Sequence, residues 1–191
     1  MPVFATVTES DRISGVWLAD PTVHSDERGC FVETYRRDWI PGAREMIQQN
    51  RGDRKAGCVV GLHYHLHQAD YWYVPFGRAR VVLHDLRSGS PTDGATLCFD
   101  LGSRADGTHD HRGVYIPPGV AHGFASLTDM TITYLVDAYH NPVDELGVAW
   151  DDPEVAADWG VADPILSERD RANPRRADIE PQWQPHFSLR T

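Results

Sequence analysis

Short segments in which apolar and polar residues alternate occupy most of the chain before residue 151, and clusters of Gly, Pro, Asp and Ser separate them. Residues 78–86 (RARVVLHDL) are typical, because Ala79, Val81 and Leu83 would all face one side of a strand. The same pattern predicts strands over residues 29–35, 59–64, 71–75, 78–86, 95–101, 112–116, 123–127, 131–138 and 147–150. Many short strands at regular spacing favour a sandwich or a jelly roll over alternating strands and helices.

Patterns typical of helices are few. Residues 37–46 predict one helix, and the polar, Pro-rich tail that follows Asp151 contains two helix starts, near residues 152–154 and 167–170. We expect this tail to pack across the β-structure. The sequence therefore predicts a mostly β protein with short helices at its C-terminal end, organised as a single domain over residues 1–191.

Composition and charge narrow the function classes. The net charge of −10 argues against nucleic-acid binding, which needs a basic face, although two or three arginines would suffice to bind one nucleotide diphosphate. Three cysteines without a CxxC pair make a disulfide framework or a cysteine zinc site improbable. The N-terminal residues do not have the pattern of a signal peptide, and no stretch is long and apolar enough to span a membrane. We therefore expect a cytoplasmic protein with no membrane partner.

The residues with the richest chemistry lie in one segment, 57–77 (GCVVGLHYHLHQADYWYVPFG). His63, His65 and His67 alternate, so a strand would point their imidazoles to one face. Asp70 follows, and His122 comes after a Pro-Pro-Gly turn that could aim it at the same place. His67 lies where the strand should end and is expected to be solvated, and His65 alone could be a hydrogen-bonded core residue. Buried histidines need partners, so the cluster as a whole indicates a functional pocket.

Several short motifs follow one another along the chain, and their order is more specific than any one of them. They are PTVHSDERGCFVE (21–33), QQN (48–50), GLHY (61–64), DLRSGSPTDG (85–94), PGVAHGF (118–124), TYL (133–135), YHNPVDE (139–145), WDDP (150–153) and LSERDRANP (166–174). With these motifs the chain resembles the dTDP-4-dehydrorhamnose 3,5-epimerases, a branch of the cupins, from about Val16 to Pro174. The resemblance implies a cupin jelly-roll β-barrel and no cofactor.

The resemblance also implies a reaction and three catalytic residues. Members of this family epimerise a nucleotide-linked (dTDP) 4-keto-6-deoxyhexose, and this chain would act at C5, at C3 or at both. A base removes a proton next to the C4 carbonyl, and an acid returns one to the opposite face. His63 matches the family's base, Asp170 the carboxylate that orients this base, and Tyr134 the acid. Tyr134 could instead be a strand tyrosine at the barrel rim.

Binding residues are carried over from the same resemblance. The chain is expected to bind a nucleotide sugar and to form a homodimer in which an N-terminal strand is shared. Arg28 matches an arginine that binds the diphosphate, commonly from the neighbouring subunit, although it could instead form a surface ion pair with Glu33. The matching positions are Arg28, Phe31, Glu33, Gln48, Asn50, His122, Tyr139 and His140.

Two departures from the family pattern leave a second interpretation open. Val60 stands where the family has an arginine, and Asp70 stands where it has a lysine. Residues 57–77 together with His122 also resemble the motifs of metal-binding cupins, in which one divalent ion would be held by His63, His65, Asp70 and His122. That interpretation implies a metal-dependent cupin acting on a small molecule, while a cupin that binds a sugar nucleotide without turnover is a third. Without a metal, Asp70 is expected to pair with His65 or with an arginine, Arg78 or Arg80.

Overall fold

The computed structural model describes residues 4–188, which are built mainly of β-strands. In chain order the strands are β1 (Ala5–Glu9), β2 (Trp17–Pro21), β3 (Val23–Asp26), β4 (Gly29–Val32), β5 (Gln48–Arg54), β6 (Val59–Tyr64), β7 (Asp70–Phe76), β8 (Arg78–Asp85), β9 (Thr96–Ser103), β10 (His109–Asp110), β11 (Gly113–Ile116), β12 (Val120–Ser126), β13 (Met130–Val136) and β14 (Leu146–Gly147). Helical structure in this part of the chain consists of helix α1 (Glu168–Ala172) and three 3₁₀ turns, Arg37–Trp39, Arg176–Asp178 and Pro181–Trp183. None of these helices is long and apolar enough to cross a membrane. The cytoplasmic location stays a prediction.

Twelve of the strands form two antiparallel sheets of six strands each. The order in the first sheet is β1-β2-β11-β7-β13-β5, and the order in the second is β10-β9-β8-β12-β6-β14. The remaining strands, β3 and β4, pair only with each other as a separate hairpin. Neighbours in a sheet are mostly distant in sequence, as in a jelly roll. The predicted mostly β fold with short C-terminal helices is confirmed.

The two sheets pack face to face and bury a common core between them. Trp72, Val74 and Ile132 of the first sheet belong to the same buried cluster as Val81 and Leu83 of the second. These residues alternate along their strands, so the alternation seen in the sequence marks the inner face. The core fills one end of the space between the sheets, and the site described below occupies the other.

Each sheet is also covered on its outer face. The C-terminal tail packs Val155, Trp159 and Ile179 against the outer face of the second sheet, where they meet Val82 of β8. Residues 35–46 cover the first sheet in the same way, with Ile40 buried against Tyr71. Burial on both faces explains why β8 is apolar at consecutive positions, and the packing expected of the tail is confirmed.

Four predictions about elements were wrong. Residues 37–46 do not form a helix beyond the single 3₁₀ turn Arg37–Trp39, because this segment is held by packing of irregular chain onto the first sheet. The strand predicted at 147–150 is a two-residue strand, β14. The helix expected to begin near residues 152–154 is only a turn, because Ala156 has a φ of 50°, which a helix cannot continue. The strands β1, β2, β3, β5 and β10 were not predicted. In β5 the sequence QQNRGDR has no apolar alternation, because this edge strand faces a polar cavity on one side and solvent on the other.

Candidate active site

A cavity of about 340 Å³ lies between the two sheets, at the end that the apolar core does not fill. This volume is in the range of small-molecule sites, about 300–1,000 Å³. Alternate residues of the first sheet line one wall, and residues of the second sheet line the other. The first wall contains Gln48 and Asn50 from β5, Asp70 and Trp72 from β7, and Tyr134 from β13; the second contains Val60 and His63 from β6, and His122 and Phe124 from β12.

An irregularity in β6 brings both Val60 and His63 to the cavity. His63 is paired with His122, but Phe124, two residues further along β12, is paired with Val60, three residues back along β6. The extra residue is a β-bulge, which changes the direction of the side chains that follow it. Gly61 lies in this bulge with a φ of +109°, and a Cβ there would be 2.7 Å from the carbonyl oxygen of His122. Only glycine fits this position without displacement of the backbone.

His63 is bound to a buried carboxylate from the C-terminal tail. Its Nε2 lies 2.6 Å from Oδ1 of Asp170, and Oδ2 of the same carboxylate accepts a hydrogen bond of 2.8 Å from the Ser167 hydroxyl. Burial opposes the ionised form of Asp170, but the hydrogen bonds from His63 and Ser167 outweigh it, so the pKa of this carboxyl lies below its ordinary value. A charged carboxylate can only accept, so Nε2 carries the proton and Nδ1 carries the lone pair. That arrangement suits a general base oriented by an acid residue.

Tyr134 belongs to the wall opposite His63. Burial raises the pKa of its hydroxyl above the ordinary value, and the carboxylate of Asp70 adds to the rise. The hydroxyl is therefore protonated at neutral pH and can donate a proton into the cavity. The arrangement offers one proton acceptor and one proton donor on the two sides of a bound molecule.

Three further polar residues, His65, Asp70 and His122, form a buried cluster beside His63. Their nearest ligand-type atoms all lie within 4.8 Å of one another. Burial is the largest cause that lowers the pKa of His122, to about 4, so this imidazole is neutral at pH 7. A donor set of two imidazoles and one carboxylate fits a divalent transition-metal ion.

The structure brings most of the predicted site residues to one cavity. Gln48, Asn50, His63, His122, Tyr134 and His140 line it, and Asp170 lies directly behind His63. His67 is exposed, as expected for a loop residue. His140 is also exposed, and its Nδ1 lies 3.5 Å from a carboxylate oxygen of Glu145.

Four predicted binding residues do not line the cavity of their own chain. They are Arg28, Phe31, Glu33 and Tyr139. The Arg28 side chain is 85% exposed and pairs with Asp26 in the β3–β4 hairpin, while Glu33 pairs with Arg36. The alternative ion pair between Arg28 and Glu33 was therefore wrong, because each has a partner closer in sequence.

The metal site predicted from four ligands needs a correction. Among the described residues, the ligand atoms that lie within 4.8 Å of one another belong to His65, Asp70 and His122, and His63 is not in this set. The pairing of Asp70 with His65, Arg78 or Arg80 was also wrong. Its carboxylate accepts from Gln68 and Trp72 and lies 3.9 Å from His122. Both arginines reach Asp100 on β9 instead.

Sequence reasoning missed several residues around the site. Trp72 lines the cavity two residues after Asp70, and its position could have been found from alternation along β7. Gln68 and Glu145 also line the cavity, but they come from loops whose path no pattern predicts. Ser167 caps helix α1, and its hydroxyl accepts from the backbone N–H of Asp170. The Ser-x-x-Asp spacing indicated the helix start but not the contact with the base.

The chain is similar in sequence to known sugar-nucleotide epimerases. The family model described as dTDP-4-dehydrorhamnose 3,5-epimerase matches residues 10–178. The enzyme of that name from Mycobacterium tuberculosis is 34% identical over 188 residues, which cover 90% of this chain and 91% of the relative. A dTDP-4-dehydrorhamnose 3-epimerase from Streptomyces niveus is 36% identical over 167 residues, covering 83% of this chain and 78% of the relative.

Solved structures agree with these relatives. NovW, a 4-keto-6-deoxy sugar epimerase from Streptomyces spheroides, superposes with a TM-score of 0.87 at 31% identity and covers 98% of this chain and 96% of its own. An epimerase from Legionella pneumophila in complex with dTDP-4-keto-L-rhamnose superposes with a TM-score of 0.86 at 27% identity, covering 97% of this chain and all of its own. The strand order, the cavity between the sheets and these matches lead to one conclusion: the chain belongs to the dTDP-4-dehydrorhamnose 3,5-epimerase family.

Proposed function

We propose that the chain is an isomerase that epimerises a nucleotide-linked 4-keto-6-deoxyhexose, with dTDP as the nucleotide, at C5, at C3 or at both. The observation that carries this proposal is the pair of opposed groups in the cavity. The His63 base with its carboxylate lies on one wall, and the protonated Tyr134 lies on the other. Membership of the family supports the substrate class.

The chemistry follows from the acidity of hydrogens next to a carbonyl. His63 takes a proton from C5 or C3 through Nδ1, and the electron pair of the C–H bond moves into an enolate with its negative charge on the C4 oxygen. Tyr134 then gives its proton to the opposite face of the same carbon, which inverts the configuration. Only protons move, so the reaction needs no redox cofactor.

Substrate binding would use the polar side of the cavity. Gln48 and Asn50 lie side by side on β5, joined by a hydrogen bond of 2.9 Å, and present amide groups that can bind sugar hydroxyls. His122 and His140 lie on either side of the same space. We assign these residues to the sugar and its surroundings.

Binding of the nucleotide would need a second subunit. Phe31 is 66% exposed on a hairpin that joins neither six-stranded sheet, and Arg28 extends from its tip. A guanidinium and an aromatic ring suit a diphosphate and a base, respectively. We propose that the chain forms a homodimer in which the hairpin of one subunit, carrying Arg28, Phe31 and Glu33, reaches the cavity of the other. Tyr139, 70% exposed near the cavity residue His140, would contact the same nucleotide. Each subunit would act as one domain over residues 1–191.

Deuterium exchange tests the reaction. Incubation with dTDP-4-keto-6-deoxyglucose in D₂O should introduce deuterium at C5, at C3 or at both, as read by NMR. His63→Ala should lower the exchange rate by about 10²- to 10⁴-fold, the usual contribution of a general base. No exchange at either carbon in the wild type would contradict the proposed function, and exchange that survives His63→Ala would contradict the role of His63.

The Tyr134→Phe variant tests the acid role of Tyr134 separately from the base role of His63. His63 can still remove a proton and return a deuteron to the same face, so the variant should exchange deuterium while the configuration is retained. Inversion at an unchanged rate in this variant would assign the acid to another group.

A further inference from the structure

The side chains of His65, Asp70 and His122 meet in the cavity beside the base. His65 follows β6, Asp70 begins β7, and His122 lies on β12, so three separate segments supply them. All three are buried, with exposures of 4–6%. Oδ2 of Asp70 lies 3.9 Å from Nε2 of His122, and the whole set falls within 4.8 Å.

The hydrogen bonds of both histidines leave their Nε2 atoms free to bind a cation. Nδ1 of His65 lies 2.7 Å from the backbone carbonyl of Asp144, and Nδ1 of His122 lies 2.9 Å from the carbonyl of Val120. A carbonyl oxygen can only accept, so each Nδ1 carries the proton and each Nε2 carries the lone pair. A backbone carbonyl that holds the far nitrogen is the usual support of a metal-bound histidine.

Asp70 is a buried carboxylate that is held by neutral donors. Its two oxygens accept hydrogen bonds of 2.9 Å from the Gln68 amide and 3.0 Å from the Trp72 indole. Within residues 4–188, no lysine or arginine forms an ion pair with it. A charge removed from water is costly unless it is paired, and a cation would supply the missing partner.

We propose that His65, Asp70 and His122 bind one divalent first-row transition-metal ion. Around Zn²⁺ with bonds of about 2.1 Å, tetrahedral ligand atoms lie about 3.4 Å apart. The ligand atoms now lie within 4.8 Å of one another, so the side chains must close by up to about 1.4 Å. Three protein ligands leave at least one position open to a molecule in the cavity, as in catalytic rather than structural metal sites. His63 is not assigned as a ligand, because among the described residues it does not belong to the set whose ligand atoms lie within 4.8 Å of one another.

The charges around the cavity indicate a catalytic role for this ion, and that role rests on the proposed function. Asp70 and Glu145 line the cavity with carboxylates. Among the described residues that line it, Arg54 is the one arginine or lysine. Removal of a proton by His63 places a further negative charge on the C4 oxygen of the sugar. An ion at the cluster, bound through its open position to that oxygen, would stabilise the enolate without any change in its own oxidation state.

Metal titration tests the site independently of catalysis. Full-length protein without a histidine tag is stripped with a chelator and titrated with Zn²⁺ by calorimetry and with Co²⁺ by visible absorption. We expect one ion per chain and the visible bands of a Co²⁺ ion bound to protein ligands. His65→Gln and Asp70→Asn should each weaken binding by at least about 100-fold, more than loss of an outer-shell partner costs.

His67→Gln is the matched control, because this exposed histidine lies two residues from His65 and outside the cluster. It should bind the ion as the wild type does. Circular dichroism of each variant identifies any loss of binding that comes from unfolding. Wild-type protein that binds no ion, or folded cluster variants that bind it as tightly as the wild type, would overturn the proposed site.

The rate of deuterium exchange then tests the role of the ion in enolisation. Deuterium exchange into the sugar should fall by about 10²- to 10³-fold in the stripped protein, the effect of losing one oxyanion-stabilising group, and recover when the ion is returned. Equal rates with and without the ion would overturn its role in enolisation. Absence of exchange in every form would instead contradict the epimerisation, while the titration would still decide whether the ion binds.

Discussion

At the scale of single residues, Asp170 connects the C-terminal tail to the chemistry of the cavity. Its carboxylate is 107 positions from His63 in sequence, yet it holds Nε2 of that histidine at 2.6 Å. The Ser167 hydroxyl fixes the other oxygen, and the first turn of α1 fixes Ser167. The His63 side chain is therefore oriented by a helix of five residues whose own position depends on packing of the tail against the second sheet.

Asp170→Asn tests this orientation. An amide keeps the size of the side chain but removes its charge, so the charged form of His63 loses its partner as the proton arrives. We expect the rate of deuterium exchange to fall by about 10²- to 10⁴-fold with little change in the thermal unfolding midpoint. Ser167→Ala should have a smaller effect on rate and cost about 1 kcal/mol of stability through loss of the helix cap. Asp170→Asn protein that is folded and exchanges at the wild-type rate would show that His63 works without an orienting carboxylate.

At the scale of elements, the sequence predicted those strands whose residues alternate or are apolar throughout. The segments around β6, β8 and β12 carry this signal because each contributes to the core between the sheets. The polar edge strand β5 and the exposed hairpin strand β3 carry no such signal, since neither buries an apolar face. The motif resemblance singled out His63, Asp170 and Tyr134, and only the structure could show that His65 meets Asp70 and His122.

The bulge in β6 brings His63 to the cavity, and a substitution of Gly61 within the bulge tests this. Gly61→Ala combines a φ of +109° with a Cβ 2.7 Å from a backbone oxygen of β12. We expect a loss of about 2–5 kcal/mol in the free energy of unfolding, from backbone strain and overpacking together. Because β6 must move away from β12, His63 should also be displaced, and the exchange rate should fall in the protein that remains folded.

Gly107→Ala is the matched control for this effect. Gly107 has a φ of +84° in a surface turn, and a Cβ there would meet nothing within 4 Å. This variant should lose only about 1–2 kcal/mol, the cost of the left-handed conformation, and keep its exchange rate. Equal losses in urea unfolding of the two variants would show that the close approach to β12 contributes nothing.

At the scale of the whole molecule, the cavity of one chain has few groups that would bind a nucleotide diphosphate, since Arg54 is the one cationic side chain among its described lining residues. The hairpin that carries Arg28 and Phe31 points its residues to solvent and pairs with neither six-stranded sheet. A second chain would explain both features, because a two-fold axis lets each hairpin cover the cavity of the other subunit. Light scattering should therefore give a mass about twice the 21.5 kDa of one chain.

Mixed dimers decide whether the hairpin acts on its own cavity or on that of its partner. His63→Ala and Arg28→Ala chains are each expected to be poorly active alone. If the hairpin acts across the dimer, a heterodimer of the two contains one site with both groups intact. An equal mixture that exchanges subunits freely should then recover about a quarter of the wild-type exchange rate, since half of the dimers are mixed and each has one working site.

The chain that carries both substitutions, mixed equally with wild type, provides the opposite control. Action across the dimer leaves working sites only in wild-type homodimers, about a quarter of all sites, because the wild-type cavity of a heterodimer faces a hairpin without Arg28. Action within one chain leaves every wild-type cavity working, about half of all sites, and gives no recovery in the first mixture. The two mixtures therefore separate the two arrangements. An exchange rate of about a quarter of the wild-type rate in the first mixture, together with about a quarter instead of about a half in the second, is possible only if one subunit reaches into the cavity of its partner.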